Sequence, residues 1–559
     1  MSRLPKIAVL TVLTLVLWGY IVGPLVGTFQ RSLATSEPFA DYIRFFDFRA
    51  GVQGEAMLGS LMISVLSVIT SGIIGVFLAV ILQRWDFPLR SVCQVLVLVP
   101  IALPPLMGVA AFVKLYGLGG TLPQLLGDFL GTDPNRYALE GLAGVLLVHT
   151  LTMYPYFYLS VSAALEQSDD SLEEAAYSLG ATTFQTWNRV LLPMLTPAIV
   201  SGALLTFMSS MASYTAPLLF NVDYVMTRQI MSADANAEMA FSSVVSVMLA
   251  VISIVFLILL RQWEGRSAYR SQSKGGGRKR QRVTNSGMKV VVFAVALVST
   301  VFLILPIAMI FVLAFSVDGS WRTAALPSEY TTRNIIKLFT DAATWAPIQN
   351  SLVMSALAVV GTVLLGVSCA YVLARMSFRG KTLFDIAIML PWALPGTVVA
   401  FNLIKSFNVP SVFGLGQTLV GTYAIVPLAY FVRFSPLVFR STSASLSQLD
   451  PSMEEAARSL GGGWWYTFRR ITLPLLYPGI AAGALLAFVN GIGEFVATIL
   501  LHVHPRYRPL SIAIFDEFYR GNFGTAAAWG VVQVVLVLLV VILTRRIQRS
   551  SVGAVYDRA

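Results

Sequence analysis

Cysteine, histidine and charge are all scarce in this 559-residue chain. Its two cysteines, Cys93 and Cys369, lie inside apolar segments. They exclude a disulfide framework and read as small buried hydrophobes. Charged residues make up only 12% against 56% hydrophobic ones. That is too little charge to cover a water-soluble body of this size. No Gly-x-x-x-x-Gly-Lys-Ser/Thr phosphate loop occurs, so this route to ATP hydrolysis is excluded within the chain.

What is present is a series of apolar runs, each long enough to cross a bilayer. They predict spans at 7–29, 56–82, 92–116, 140–164, 194–220 and 241–261, then 288–315, 349–375, 382–406, 417–441, 475–501 and 525–544. The run after MSRLPK is too long for a signal-peptide core and reads as a retained first helix. The fold class is therefore an all-α integral membrane protein with twelve transmembrane helices. Between the two sets lies RSAYRSQSKGGGRKRQR, within a flexible basic linker, 262–287. A net charge of +11 and such a run are compatible with nucleic acid. In a membrane chain they mark cytoplasmic loops instead, and no nucleic acid is expected. The loops QRWDFPLRS and ARMSFRGKT and the tail RRIQRSS fall on the linker's side and are basic too. The positive-inside rule makes that side the cytoplasm, with both termini on it. The loops 30–55, 117–139, 221–240, 316–348, 407–416 and 502–524 then face outward.

The two sets are repeats. QRWDFPLR at 83–90 parallels ARMSFRGK at 374–381, and VPIALP at 99–104 parallels LPWALP at 390–395. The offset is 291 here (84 to 375) and 281 further on (155 to 436), so the first half has about ten extra outward residues. An even number of spans per half makes the repeats parallel, with a pathway between them. The halves are 1–261 and 288–559.

Between spans four and five lies SLEEAAYSLGATTFQTWNRVLLPMLTP (171–197), and between ten and eleven SMEEAARSLGGGWWYTFRRITLPLLYP (452–478). They align without a gap. Ser171 with Glu174, and Ser452 with Glu455, fit a capping box that starts a short helix. Gly180 and Gly461 suit the left-handed position that ends it. Each loop predicts a rigid cytoplasmic knob. The pattern Glu-Ala-Ala, three residues, Gly, nine residues, an aliphatic residue, one residue, Leu-Pro closely resembles the EAA loop of binding-protein-dependent ABC importer permeases. The likeness runs over essentially the whole chain outside the linker.

That resemblance implies the type I ABC importer permease fold and a multi-pass place in the bacterial inner membrane. It implies coupling to an ATPase through Glu173, Glu174, Ala175, Ala176 and Gly180, and through Glu454, Glu455, Ala456, Ala457 and Gly461. Glu174 and Glu455 are expected to meet basic groups of the ATPase. The partners implied are two ATPase subunits, one under each half, and a soluble binding protein outside. ATP and magnesium belong to the ATPase. The chain itself is expected to have no cofactor, no metal site and no enzymatic activity. Fused permeases of this type resemble those for ferric iron, thiamine, 2-aminoethylphosphonate and, more distantly, polyamines or sulfate. LPWALPGTVVAFNLI and FVNGIGEFVATILL look most like the ferric-iron branch.

A pathway is expected along a polar pair on span eleven, Asn490 and Glu494, four residues apart on one helical face. Subtracting 281 gives Ser209 and Ser213 on span five, followed by Tyr214. Arg433 in span ten is an intramembrane charge expected to face the bundle interior. Glu494 would favour a cationic substrate unless Arg433 neutralises it. His502 and His504, near Tyr507, read as interfacial residues and His149 as a satisfied packing residue. A proton-coupled secondary transporter shares the twelve-span, two-half plan. Its glycine framework after span two is absent from QRWDFPLRS, and paired EAA loops are not expected there.

Overall fold

The computed structural model describes residues 3–34, 37, 39–47, 52–168, 171–236, 238–268, 281–282, 286–320, 325–501 and 504–556. The first half contributes α1 (Arg3–Leu17), α2 (Gly23–Ser32), α3 (Val52–Arg84), α4 (Arg90–Leu96), α5 (Pro105–Tyr116), α6 (Thr121–Leu130), α7 (Gly141–Gln167), α8 (Ser171–Ser178), α9 (Leu192–Met211), α10 (Thr215–Leu219) and α11 (Met239–Ala268). The second contributes α12 (Ser286–Ala314), α13 (Ala342–Arg375), α14 (Lys381–Ala393), α15 (Gly396–Phe407), α16 (Ile425–Gln448), α17 (Pro451–Ser459), α18 (Leu473–Gly493), α19 (Val496–Leu501) and α20 (Phe523–Tyr556). Residues 269–280 and 283–285 of the expected linker lie outside the described residues. Within it, β2 (Gln281–Arg282) pairs in parallel with β1 (Trp85–Asp86). That part of the connection therefore sits beside the loop after α3, at the same end of the molecule.

Among the described residues, ten helical stretches are long and apolar enough to span a membrane. The pair α14 and α15, bent by 111°, would make an eleventh. The remaining expected span is α16, which is 24 residues long but carries Arg433 and Arg440. At about 1.5 Å per residue its length suffices for a bilayer. It begins at Ile425 and runs to Gln448, displaced from the expected 417–441.

Four expected spans are broken rather than continuous. In the third and ninth, Leu103 (ψ 123°) and Leu394 (ψ 130°) are extended. Each precedes a proline, Pro104 or Pro395, whose ring disfavours helical backbone in the residue before it. The fifth and eleventh break at Ala212–Tyr214 and at Glu494–Phe495, between α9 and α10 and between α18 and α19. Several expected outward loops are themselves helical: 117–139 contains α6, 221–240 contains Met226–Ala235, and 502–524 contains Leu510–Tyr519.

The sequence halves do not fold as separate bundles. One apolar core joins α3, α5 and α7 of the first half to Val292, Ile310 and Leu313 on α12 and to Trp529 on α20. The other joins Leu13 and Leu17 on α1 and Val244 and Leu249 on α11 to α13, α14, α15, α16, α18 and α19. The first helices of each half thus reach across to the other. Polar contacts fix the exchange: Tyr20 donates to the Phe413 carbonyl at 2.9 Å, and Thr28 to Asn402 Oδ1 at 2.6 Å. Lys405 pairs with Asp234 at 2.8 Å.

Close helix packing repeats in both halves. A Cβ at Gly75 would lie 2.5 Å from the Tyr154 carbonyl, and one at Gly202 2.9 Å from Phe157. At the matching positions, a Cβ on Gly366 would lie 2.9 Å from the Phe439 nitrogen, and one on Gly483 2.8 Å from Val438. Small residues let backbones approach where lipid offers no hydrophobic drive to associate. These contacts seat α7 and α16, the helices that lead directly into the two EAA loops.

Candidate functional site

Each EAA loop is built on the same plan. Its helix, α8 or α17, directs adjacent glutamates oppositely. Glu173 and Glu454 are each 4% exposed, while Glu174 and Glu455 are exposed. Arg84 Nη2 lies 2.8 Å from Glu173, and Arg375 Nε lies 3.2 Å from Glu454. Both arginines are the last residue of a long helix, α3 or α13, so a buried ion pair ties the knob to the bundle. Thr472 adds a hydrogen bond to Glu454 Oε1 at 3.0 Å.

The helix ends as the sequence requires. Gly180 and Gly461 have φ of +82° and +84°, the left-handed conformation that suits glycine. The residue before each, Leu179 or Leu460, is 89% exposed. These two tips were not singled out from sequence, although leucine beside the terminating glycine in both copies is a readable signal. The capping expectation needs correction. In α17 the cap is Asp450, whose carboxylate accepts from the Ser452 nitrogen at 2.9 Å, with Pro451 at the first helical position. Aspartate caps as well as serine does, and proline is pre-organised for that first turn. This hydrogen bond holds the Asp450 carboxyl below the ordinary aspartate range. Ser171 likewise lies inside its helix, and the residues before it are outside the described set. A capping box does occur further on, between Thr182 and Gln185. A five-residue π-turn then follows in both loops, at Trp187–Leu191 and at Phe468–Thr472. Such turns are rare and concentrate at functional sites.

Near the C-terminal ends of α9 and α18 lies a cavity of about 490 Å³. Ser209, Ser213, Tyr214 and Asn490 all line it, with His149, Thr152 and the Pro104–Pro105 break. The cavity is walled mainly by the first half, beside the breaks in spans three and five, with Asn490 and Val496 of span eleven reaching it from the second half. His149 is buried and satisfied. Its Nδ1 is 2.9 Å from Ser67 Oγ, and its Nε2 is 2.9 Å from Ser213 Oγ.

Glu494 and Arg433 are placed differently from the expectation. Helix α18 ends at Gly493, and Glu494 has extended backbone (ψ 116°). Asn490 and Glu494 therefore do not share a helical face. Glycines at 491 and 493 weaken the helix there. The Glu494 carboxylate starts the next helix instead, accepting from the Ala497 nitrogen at 2.8 Å. Its other oxygen lies 3.1 Å from Arg433 Nε. The two charges cancel locally, and neither residue lines the 490 Å³ cavity. Gly396 makes room for the pair: a Cβ there would sit 1.7 Å from Arg433 Nη1.

His502 lies outside the described residues. His504 Nδ1 accepts from the Arg506 nitrogen at 3.1 Å, and its ring lies 5.5 Å from that of Tyr507. Among the described residues, no group of three or more His, Cys, Asp and Glu is arranged to hold a metal ion.

The profile of the family described as "Binding-protein-dependent transport system inner membrane component" matches twice, at residues 71–268 and 362–552. A "Probable ABC transporter permease protein y4fN" of Sinorhizobium fredii is 26% identical, over 99% of this chain and 98% of its own length. The "Ferric transport system permease protein FbpB" of Actinobacillus pleuropneumoniae is 26% identical, over 96% of this chain and 77% of its own length. The "Putative 2-aminoethylphosphonate transport system permease protein PhnV" of Salmonella paratyphi A is 30% identical, over 44% of this chain and 90% of its own length. With two profile matches, two EAA loops and one continuous chain, the protein belongs to the binding-protein-dependent transport system inner membrane component family, as a fused two-half ABC importer permease.

Proposed function

We propose that this permease imports a small solute handed over by a soluble binding protein, and that ferric iron is the solute. Each EAA helix seats one of two ATPase subunits, and the end bearing these helices faces the cytoplasm. The observation that carries the coupling part is the doubled geometry. One glutamate is anchored on an arginine, while its neighbour and a leucine tip are left outside. An anchored helix transmits displacement, and its exposed face offers both charge and apolar area. ATP and magnesium are bound by the ATPase, and closure of that dimer moves the two knobs. The 490 Å³ cavity, to which both halves contribute, is the pathway, with Ser209, Ser213, Tyr214 and Asn490 on its wall.

Ferric iron is favoured by likeness, over 96% and 89% of this chain, to relatives named for ferric transport, of which 77% and 78% is matched. The chain's own charge does not add to that, because Arg433 neutralises Glu494. A phosphonate is the second reading. PhnV of Salmonella is 30% identical over its matched part, and Arg433 Nη1 is buried without a hydrogen-bond acceptor. Binding of ferric iron, thiamine, phosphonates and polyamines to the partner capture protein separates the two.

The coupling test is replacement of Glu174 and Glu455 together in the permease reconstituted with its ATPase. Lys at both sites should abolish uptake while the chain remains in the membrane. Gln removes the charge with little change of shape and shows how much of the loss is electrostatic. Normal uptake and normal ATPase stimulation in the Lys variant would remove these residues from the interface.

A further inference from the structure

A second cavity, of about 880 Å³, opens where α13 ends and α14 begins, and extends between α11, α14 and α16. Among the described residues, three basic side chains line it: Arg375, Lys381 and Arg440. Asp385 is the one carboxylate on its wall among the described residues, and Thr382, Ser443 and Ser447 add hydroxyls. The deeper wall is apolar, from Leu257, Leu373, Met389, Phe439 and Leu446.

The cations are under-used. Arg375 Nε lies near Glu454 but off the hydrogen-bond axis, so Nε and Nη2 are buried without an acceptor. Among the described residues, Lys381 and Arg440 form no ion pair; the one charge contact of Arg440 is with the Trp392 ring, 5.8 Å away. Helix α14 starts at the cavity's edge with no side-chain cap, which adds its positive end to the field.

The first half keeps two of the three basic positions but engages them differently. The counterpart of Lys381 is Arg90 (offset 291), which is buried and donates to the Leu82 carbonyl and to Gln83 Oε1. The counterpart of Arg440 is Leu159 (offset 281). The counterpart of Arg375 is Arg84, whose Nη2 is satisfied by Glu173 at 2.8 Å. Duplication therefore does not account for the basic cavity. Its flanks identify the medium it opens to. Val255, Ile258 and Leu259 beside Leu257 on α11 are exposed, as are Leu383 and Ile386 on α14. In a membrane chain, exposed aliphatic residues on spanning helices face hydrocarbon.

We propose that this cavity binds the phosphate headgroup of an anionic phospholipid. The headgroup sits among Arg375, Lys381 and Arg440, and an acyl chain lies along the apolar wall beside Leu257. Basic pockets between helices at headgroup depth are suited to such lipids. Because Arg375 also anchors Glu454, a bound headgroup would sit one side chain away from the EAA helix α17.

The test uses the full chain purified alone, with lipid retention read by native mass spectrometry. The chain is exchanged into mixtures of phosphatidylglycerol and phosphatidylcholine. The wild type should keep one phosphatidylglycerol in preference to phosphatidylcholine. Lys381→Gln with Arg440→Leu should weaken that retention about 25-fold, from roughly fivefold per basic residue near the headgroup. Arg440→Leu alone, which copies the first half's residue, should weaken it about fivefold and guards against misfolding of the double variant. Equal retention by wild type and both variants would overturn the site. Displacement of phosphatidylglycerol by millimolar inorganic phosphate would overturn the lipid as its occupant. The idea builds on the proposed orientation, but no ATPase is present in the assay, so its failure leaves ATPase docking untouched.

Discussion

Glu173 and Glu174 are neighbours in sequence but point about 100° apart around a helix, and the structure uses that difference. One is buried on Arg84 and the other is free to meet a partner. Sequence showed both pairs and showed Arg84 opposite Arg375, yet not that arginine and glutamate meet, because 89 residues separate them. Glu173→Gln leaves Arg84 uncompensated in a buried site and should destabilise by roughly 3 kcal/mol. Glu174→Gln, at an exposed site, should change stability by under about 0.5 kcal/mol. Thermal unfolding of the two purified variants checks this contrast, and equal shifts would contradict it. Glu494 and Arg433 are also a buried pair, so neutralising either alone should cost more than neutralising both. A double-mutant cycle with Glu494→Gln and Arg433→Met measures the coupling, and strictly additive effects would contradict the pairing. The Asp450 cap has a pH sign. Its carboxyl is held below the ordinary range by its hydrogen bond to Ser452. The cap is fully present above about pH 4 and is lost as pH falls through the lowered value. Exchange of the Ser452 amide should therefore be flat from about pH 5 to 8 once corrected for intrinsic rates. Asp450→Ala should raise it throughout.

At the scale of elements, long apolar helices and the EAA helices were legible because length, apolarity and terminating glycine are local signals. The breaks in spans three, five, nine and eleven were not. The repeated Leu-Pro steps were visible at Leu103–Pro104 and Leu394–Pro395, but apolar run length does not register backbone direction. Span eleven misled for a similar reason: Asn490 and Glu494 have helical spacing, but Gly491 and Gly493 end the helix between them. Ser209, Ser213, Tyr214 and Asn490 nonetheless line one cavity. Close packing of α7 against its neighbours is a further element-scale test. A leucine at Gly202 would collide with Phe157, and one at Gly483 with the backbone at Val438. Either should prevent stable assembly, whereas Leu at Gly463, which has open space around its Cβ position, should be tolerated. Yield and monodispersity of the purified chains give the readout. A well-folded Gly202→Leu protein would contradict the packing.

For the whole molecule, two homologous halves in sequence become two interlocked cores in space. The exchange of α1, α2 and α12 across the halves was not readable, because it rests on long-range contacts such as Thr28 with Asn402. Each EAA loop is tied to a different core, Glu173 to Arg84 at the end of α3 and Glu454 to Arg375 at the end of α13. The proposed orientation puts the linker and both EAA loops on one side, and a cysteine at Ser273 should label from the cytoplasm while one at Ser320 labels from outside. The native cysteines are buried and should stay silent. The same silence permits site-specific cross-linking at the EAA tips, Leu179 and Leu460, each 89% exposed. With a cysteine at both tips and the ATPase present, each tip should capture its own ATPase subunit, giving one permease chain joined to two. A single captured subunit, or none while transport proceeds, would contradict a permease driven through both loops.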